Sequence, residues 1–184
     1  MKRIFFALYC ALCCTFVAYS QETTEWTTEK ILLSDNKKLL ELKDTFMELR
    51  YNLDYPFSIR WSCMLALARL GDKASIDEIL SRVSSKKIDN KMIYVYYPDL
   101  IYTRQKKLYD FLIERMMDKK AVCNSANPNS SVKIDCGYRI AEMLAPVIRD
   151  FPQRSDSKSA KKWLEKSRKW CKKMKKNYRI SNNF

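Results

Sequence analysis

The sequence predicts an all-α protein. Apolar residues recur every three or four positions along most of the chain, which is the helical signature. Only 2 of the 184 residues are glycine. So few glycines cannot supply the turns of a many-stranded β-sandwich, nor a glycine-rich phosphate loop. Because 47% of the residues are hydrophobic, the chain can also build a substantial core.

The first twenty residues have the three parts of a secretory signal peptide. Lys2 and Arg3 give a positive start, residues 4–18 are apolar and uncharged, and small residues lie at and before Ser20. The apolar run is shorter than the roughly 20 residues that a membrane-spanning helix needs. We therefore expect removal of residues 1–20 and an exported protein, periplasmic or secreted, with no transmembrane segment after cleavage.

The remainder is predicted to form a single helical domain over residues 36–184, after a loose polar lead-in over residues 21–35. Periodicity predicts about six helices in this domain. Their approximate ranges are 36–53, 57–70, 75–83, 98–117, 136–151 and 157–178.

Glycine and proline mark the expected breaks. Gly71 suits the left-handed position that ends the second helix. Pro98 suits the first turn of the fourth helix, and we expect residues 92–97 to form an extended connection leading into it rather than a strand. Pro146 predicts a kink or break in the fifth helix near Leu144.

Four cysteines remain after the predicted cleavage, and they allow three complete pairings. Cys123 and Cys136 flank a polar segment. A disulfide between them would close that loop and contribute about 3 kcal/mol. We predict this disulfide, with two unpaired thiols as the alternative. Cys63 is predicted to be buried, and Cys171 lies among lysines that could lower its pKa.

Histidine is absent from the chain. This excludes Ser-His-Asp and Cys-His nucleophile systems and every histidine-ligated metal site. The cysteine spacings do not match a zinc site, and no spacing singles out two acids as a catalytic carboxylate pair. We therefore predict a non-catalytic protein with no cofactor and no metal.

A short internal match suggests a repeat. Segments 60–66 and 139–145 share Arg, Met, Leu and Ala at equal spacing, with an offset of 79 residues. Two steps of a helical-hairpin repeat of about 40 residues leave such an offset. We predict that Arg60 and Arg139 are structural, each reaching an aspartate or a carbonyl of a neighbouring helix. Anion binding is the alternative role.

Around the first copy, residues 58–83 resemble the HEAT-repeat family in its short bacterial HEAT-like form. The segment has an arginine, then small and apolar residues, then Ala-Leu-x-x-Leu-Gly-Asp. The resemblance is faint over 99–118 and 136–150. It implies antiparallel helical hairpins in a short α-α superhelix, with a role in protein–protein interaction or scaffolding.

The positive charge is concentrated at one end. Residues 154–184 contain 12 Lys and Arg and two acids, whereas residues 21–153 contain 21 basic and 19 acidic residues. On the last predicted helix an apolar stripe runs along one side, at Trp163, Ser167, Trp170, Met174 and Tyr178. Basic residues cover the rest of it: Lys161, Lys162, Lys166, Arg168, Lys169, Lys172, Lys173, Lys175 and Lys176.

Several interpretations of this basic helix remain open. The stripe can dock on the preceding helices and leave a solvated cap. The helix can instead lie on an anionic membrane or bind another polyanion. An acidic protein surface is a further partner. Nucleic acid is a poor candidate for the target of an exported protein.

A cluster of tyrosines supplies the candidate binding surface: Tyr94, Tyr96, Tyr97, Tyr102, together with Arg104. Tyrosines are common in recognition surfaces, although they can equally pack onto helices and hold a connection down. The favoured function is protein–protein interaction or scaffolding with another protein as partner. The alternatives are peripheral binding to anionic surfaces through the basic helix, and a carbohydrate-binding accessory protein, since tyrosines also stack on sugars.

Overall fold

The computed structural model describes residues 26–125, 131–154 and 159–181. Within these ranges the chain is mostly helical, so a mainly helical fold is confirmed, whereas the all-α prediction misses a small two-stranded sheet. The predicted signal peptide, residues 1–20, lies outside the described residues. None of the described helices is both long and apolar enough to cross a bilayer.

The N-terminal half consists of five α-helices. They are α1 (Thr28–Leu32), α2 (Asn36–Glu41), α3 (Lys43–Leu49), α4 (Phe57–Arg69) and α5 (Lys73–Ser84).

The C-terminal half contains one π-helix, four more α-helices and a small antiparallel hairpin. In order, these are the π-helix (Met92–Tyr96), α6 (Tyr97–Tyr102), α7 (Lys106–Met116), β1 (Val122–Asn124), β2 (Lys133–Asp135), α8 (Cys136–Leu144) and α9 (Ala160–Met174).

The described ranges thus hold nine α-helices rather than about six. Two predicted helices are divided, the first at Leu42 and the fourth at Thr103. The third helix beyond the predicted six is α1, which lies in the segment predicted to be a loose polar lead-in. That prediction is wrong for its described part, because Ile31 is fully buried and Trp26 packs edge-on against Phe46, with ring centroids 5.6 Å apart.

Residues 92–97 are helical, and the predicted extended connection is wrong. The Asp89 carboxylate accepts a hydrogen bond from the Met92 N–H (2.8 Å), and the Asp89 carbonyl accepts one from the Ile93 N–H (3.1 Å). Met92, Ile93 and Tyr97 are all buried. The burial of these side chains outweighs the extended preference of the aromatic and β-branched residues here.

The break predicted near Leu144 is confirmed, because α8 ends at that residue. The chain does not resume the helix after Pro146. Val147 and Ile148 are buried instead, and Ile148 forms an isolated antiparallel bridge with Ile180. The segment after α8 therefore binds the segment that follows α9.

Helix α4 lies between two hydrophobic clusters. All eight residues from Trp61 to Ala68 are buried, as expected for a helix that is apolar all round. One side of α4 contributes Trp61, Met64, Leu65 and Ala68 to the main cluster, which extends to Tyr178. The other side belongs to an N-terminal cluster formed by Ile31, Leu39, Phe46, Leu49, Ile59, Cys63, Ala66 and Leu67.

The predicted cysteine pair lies at disulfide distance. Cys123 of β1 and Cys136, the first residue of α8, are bonded with their Cα atoms 5.2 Å apart. Asp135 caps α8 by accepting a hydrogen bond from the Gly137 N–H (2.8 Å). The bridge therefore ties the hairpin to the start of α8.

Helix α9 is shorter than the predicted range 157–178, and residues 155–158 lie outside the part that the structure describes. Ser159 caps its start by accepting a hydrogen bond from the Lys162 N–H (3.3 Å). Trp163 and Ser167 are fully buried. The Trp163 indole N–H donates to the Pro152 carbonyl at 2.9 Å. The apolar stripe is therefore docked on the main cluster.

Two buried arginines connect elements that are distant in sequence. Arg168 is 4% exposed, and its guanidinium donates to both carboxylate oxygens of Asp135 (2.7 and 2.9 Å) and to the Met116 carbonyl (2.9 Å). Arg50 donates to Asp72 (2.9 Å) and Ser75 (2.7 Å). A buried guanidinium needs such partners.

The arginines predicted for this role, Arg60 and Arg139, make no such bond to a neighbouring helix within the described ranges. Arg139 pairs with Glu142, three residues along the same helix, and lies over the Tyr94 ring. A carboxylate at that spacing satisfies an arginine locally. The Arg60 Nε atom is buried without a hydrogen-bond partner among the described residues.

Candidate functional site

The predicted tyrosine surface is divided by the fold. Tyr97 is fully buried, where burial raises the pKa of its hydroxyl to about 12. The Tyr94 hydroxyl donates to the Asn124 carbonyl at 3.0 Å and so packs on the hairpin. Tyr102 and Arg104 line a different groove, of about 390 Å³. Among the described residues, these side chains therefore lie in different places and do not line one common groove.

Tyr96 alone of the predicted surface lines a groove between α4, α5 and the π-helix. We call this the aromatic groove. Its volume is about 500 Å³. Its apolar lining consists of Phe57, Trp61, Val83, Met92 and Tyr96, and its polar lining consists of Arg82, Ser85, Lys86, Lys87, Asp89 and Lys91.

The aromatic side chains of the groove contact one another. Phe57 and Trp61, one turn apart on α4, are stacked with ring centroids 6.0 Å apart and planes at 21°. Tyr96 meets Trp61 edge-on, with centroids 5.6 Å apart. Phe57 is 44% exposed while Trp61 is 6% exposed. The groove thus offers a large aromatic surface that the fold leaves partly open to solvent.

A buried hydrogen bond holds Trp61 in place. Its indole N–H donates to the Asp99 carboxylate at 2.7 Å. Burial raises the pKa of Asp99 above its ordinary value, and the bond from Trp61 offsets part of that rise. Because the indole N–H is satisfied inside the fold, the Trp61 ring presents only its apolar surface to the groove.

The charges around the aromatic groove are unbalanced. Four cationic side chains line it, against one carboxylate, Asp89, which already accepts a hydrogen bond from the Met92 N–H. Arg82 pairs with Glu78 of the same helix at 2.5 Å. A second groove of about 560 Å³, over Arg168, is balanced by contrast, with three acids and three bases in its lining. The aromatic groove therefore carries a larger excess of positive charge than this second groove.

The basic helix presents a lysine face to solvent. Eight of the nine predicted basic residues are exposed, and the exception is Arg168, which is buried in its contact with Asp135. Lys176 pairs with Glu114 of α7 at 2.7 Å. Because Trp163 is fully buried, it is not available to insert into lipid while the helix is docked. This lysine face can support electrostatic adsorption to an anionic surface.

Chemistry at the unpaired cysteines is suppressed by burial. Desolvation raises the pKa of both Cys63 and Cys171 to about 12. The lowered pKa considered for Cys171 is therefore wrong, because the sulfur faces the core rather than the lysines beside it. Thiols in this state are poor nucleophiles. Across the described ranges no group of acids and cysteines is arranged to hold a metal ion.

Sequence reasoning misses most of the aromatic groove. It assigns Phe57 and Trp61 no role beyond an ordinary helix, although their i, i+4 spacing places two aromatic rings on one face. It places Lys86, Lys87 and Lys91 between the third and fourth predicted helices and assigns them no role. The groove exists only because the connection between α5 and the π-helix brings these lysines beside the rings.

Comparison of the chain with protein-family models, with curated proteins and with solved structures gave no match.

Proposed function

We propose that this chain is an exported, non-catalytic helical protein that binds another protein through the aromatic groove. The observation that carries the proposal is the partly open stack of Phe57, Trp61 and Tyr96 with cationic side chains around it. Aromatic and arginine side chains are the groups most enriched at the energetic centres of protein interfaces. The bonded cysteine pair is compatible with export, since such bonds persist in oxidising compartments.

Site-specific photo-crosslinking tests the proposal. A benzophenone amino acid replaces Phe57, and the protein is irradiated in the cells that make it. The matched control carries the same group in place of Leu40, an exposed apolar residue of α2 outside the groove (63% exposed). We expect a discrete protein adduct from position 57 and none from position 40. No adduct at 57, or the same adducts at both positions, would contradict the proposal.

The α4–α5 pair supports a HEAT-like element within this function. We propose that residues 58–83 form one HEAT-like hairpin. Gly71 ends α4 with a φ of +88°, and Asp72 caps α5 by accepting a hydrogen bond from the Ser75 N–H (2.8 Å). Trp61 of α4 and Arg82 and Val83 of α5 line the groove, so the hairpin would supply part of the binding surface.

A second candidate is peripheral binding to an anionic surface through α9, favoured by its exposed lysine face. The test is co-sedimentation with anionic and neutral vesicles at physiological salt. The variant Lys169→Glu, Lys172→Glu, Lys173→Glu reverses charge on the exposed side only. Binding to anionic vesicles that this variant loses would support the candidate. Equal binding by the variant would exclude it.

A further inference from the structure

We infer that the aromatic groove takes an acidic protein segment, one that combines a bulky apolar side chain with flanking carboxylates. This inference rests on the proposed function and names the chemistry of the partner.

The first argument is that the lysines of the groove are not paired with a carboxylate among the described residues. Lys86, Lys87 and Lys91 make no ion pair with any residue that the structure describes. All three are exposed, and they lie within six positions of one another. Their mutual repulsion is unfavourable in the free protein. A ligand that brings carboxylates to this place would relieve it.

The second argument is that the positive charge is held beside the rings. The Lys91 Nζ atom lies 5.6 Å from the centroid of the Tyr96 ring, and the Arg82 Cζ atom lies 5.8 Å from that of Phe57. These are cation–π contacts. A carboxylate bound by either cation would therefore lie at the edge of the apolar surface, so one segment can engage both features.

The third argument is that the connection carrying the lysines is anchored. Ile88, between the lysines, is 5% exposed. The Arg115 guanidinium of α7 donates to the Ser84 and Lys86 carbonyls. The backbone is thus held while the lysine side chains stay in solvent. Such preorganisation reduces the entropy lost on binding.

The apolar part of the partner follows from the groove lining. Val83 and Met92 are buried, and they share the lining of the groove with the three aromatic rings. Because the Trp61 indole N–H is already bonded to Asp99, the Trp61 ring has no free donor that an apolar side chain would leave unsatisfied. One tryptophan or leucine side chain of the partner can therefore occupy the groove without a desolvation penalty at this position.

Fluorescence anisotropy with a defined probe tests the inference. The probe is a fluorescein-labelled peptide with a central Trp-Leu pair between two Glu-Glu pairs. One control peptide replaces every Glu by Gln, and another replaces Trp-Leu by Ala-Ala. We expect the acidic probe to bind with a dissociation constant of about 10–100 μM and each control peptide to bind at least about tenfold more weakly.

Charge reversal on the protein supplies the matched comparison. The variant Lys86→Glu, Lys87→Glu, Lys91→Glu should weaken binding of the acidic probe at least about tenfold. Lys169→Glu, Lys172→Glu, Lys173→Glu changes the net charge equally but on α9, and should weaken it less than about threefold at physiological salt, where distant charges are screened. Circular dichroism checks that both variants fold. Equal weakening by the two variants would overturn the inference.

The remaining outcomes separate the inference from the proposed function. If the Gln peptide binds as tightly as the acidic probe and Phe57→Ala weakens both, the groove binds protein but not acidic segments. A photo-adduct at position 57 without binding of the acidic probe leads to the same conclusion. If phosphatidylglycerol vesicles displace the probe, the occupant is an anionic lipid and the inference fails. If no photo-adduct forms at position 57 and no peptide binds, both the inference and the proposed function are overturned.

Discussion

The two glycines of the chain serve different physical purposes. At Gly137 a Cβ atom would lie 2.6 Å from the Arg168 Nη2 atom and 2.6 Å from the Met116 carbonyl oxygen. The missing side chain leaves the space in which Arg168 meets Asp135. At Gly71 the surroundings are open, but φ is +88°. Here the requirement is a left-handed backbone rather than space.

Alanine substitutions should distinguish these two requirements. We expect Gly137→Ala to lower the free energy of unfolding by roughly 2–3 kcal/mol, because the added methyl displaces a buried guanidinium. Gly71→Ala should cost about 1 kcal/mol, since only a backbone preference is violated. Urea denaturation measures both.

Asparagine at the same positions provides the control. Asparagine tolerates the left-handed region, so Gly71→Asn should be closer to wild type than Gly71→Ala. Gly137→Asn should be at least as damaging as Gly137→Ala, because it is larger. If Gly137→Ala were milder than Gly71→Ala, the close packing around Arg168 would be disproved.

Individual arginines were the hardest residues to predict. The sequence placed Arg168 with the exposed basic face, because charge and spacing do not reveal that Asp135, 33 positions earlier, lies beside it. The internal match singled out Arg60 and Arg139 for the structural role, and no pattern pointed to Arg50. The Cys123–Cys136 pair was predictable, since a polar loop between two helical segments brings its own ends together.

The composition of α9 allows several interpretations, and its packing shows that the helix is docked on the rest of the domain. It carries the largest concentration of lysine in the chain, yet Trp163, Ser167 and Tyr178 of its apolar stripe are buried, and Trp170 and Met174 are partly buried. Trp163 is fully buried and in edge-on contact with Tyr138, with ring centroids 5.4 Å apart. The helix is therefore part of the domain and also its most basic surface.

Two substitutions that introduce a carboxylate on α9 should change the stability by very different amounts. Trp163→Glu should lower the free energy of unfolding by at least about 4 kcal/mol, since it removes a buried ring and introduces a carboxylate into the core. Lys169→Glu, on the exposed side, should change it by less than about 0.5 kcal/mol. Thermal denaturation followed by circular dichroism measures both. Near-native stability of Trp163→Glu would show that the helix is not docked.

Helices with a clear period and a cap were the elements that could be predicted. The second and third predicted helices correspond to α4 and α5, and the break at Leu144 also matches. Residues 92–97 were not predictable from local preference, because the π-helix there depends on burial of Met92 and Tyr97 against helices far away in the sequence. The aromatic groove has the same origin and was missed for the same reason.

For the molecule as a whole, two aspartates with opposite pKa shifts link stability to pH. Burial alone would raise the pKa of Asp72, but hydrogen bonds from Ser75 and Arg50 outweigh it and hold the pKa below its ordinary value. The pKa of Asp99 is raised above its ordinary value, because the effect of burial exceeds that of the hydrogen bond from Trp61. The stabilisation that the Asp72 carboxylate contributes to the folded state is therefore present at pH values above the ordinary pKa of aspartate. It is lost as the pH falls. Because the raised pKa of Asp99 means that the folded state favours the protonated carboxyl, this residue lowers the stability of the protein as the pH rises.

Asparagine substitutions should reveal these opposite signs. Asp72→Asn should be less stable than wild type at neutral pH, by about 1–2 kcal/mol for the lost charged hydrogen bonds, and the deficit should shrink in acid. For Asp99→Asn the stability relative to wild type should improve between acid and neutral pH. Urea denaturation across this pH range tests both. Deficits independent of pH would show that neither carboxylate titrates differently on folding.

The position of α4 between two clusters implies an order of local opening. Helices α1 to α3 pack on one side of it through the N-terminal cluster, and the main cluster holds its other side. The first three helices can then detach as a cooperative unit while α4 remains protected by its second face. Amide hydrogens of α2 and α3 would exchange with solvent through this partial opening. Those of α4 would exchange only when the whole domain unfolds.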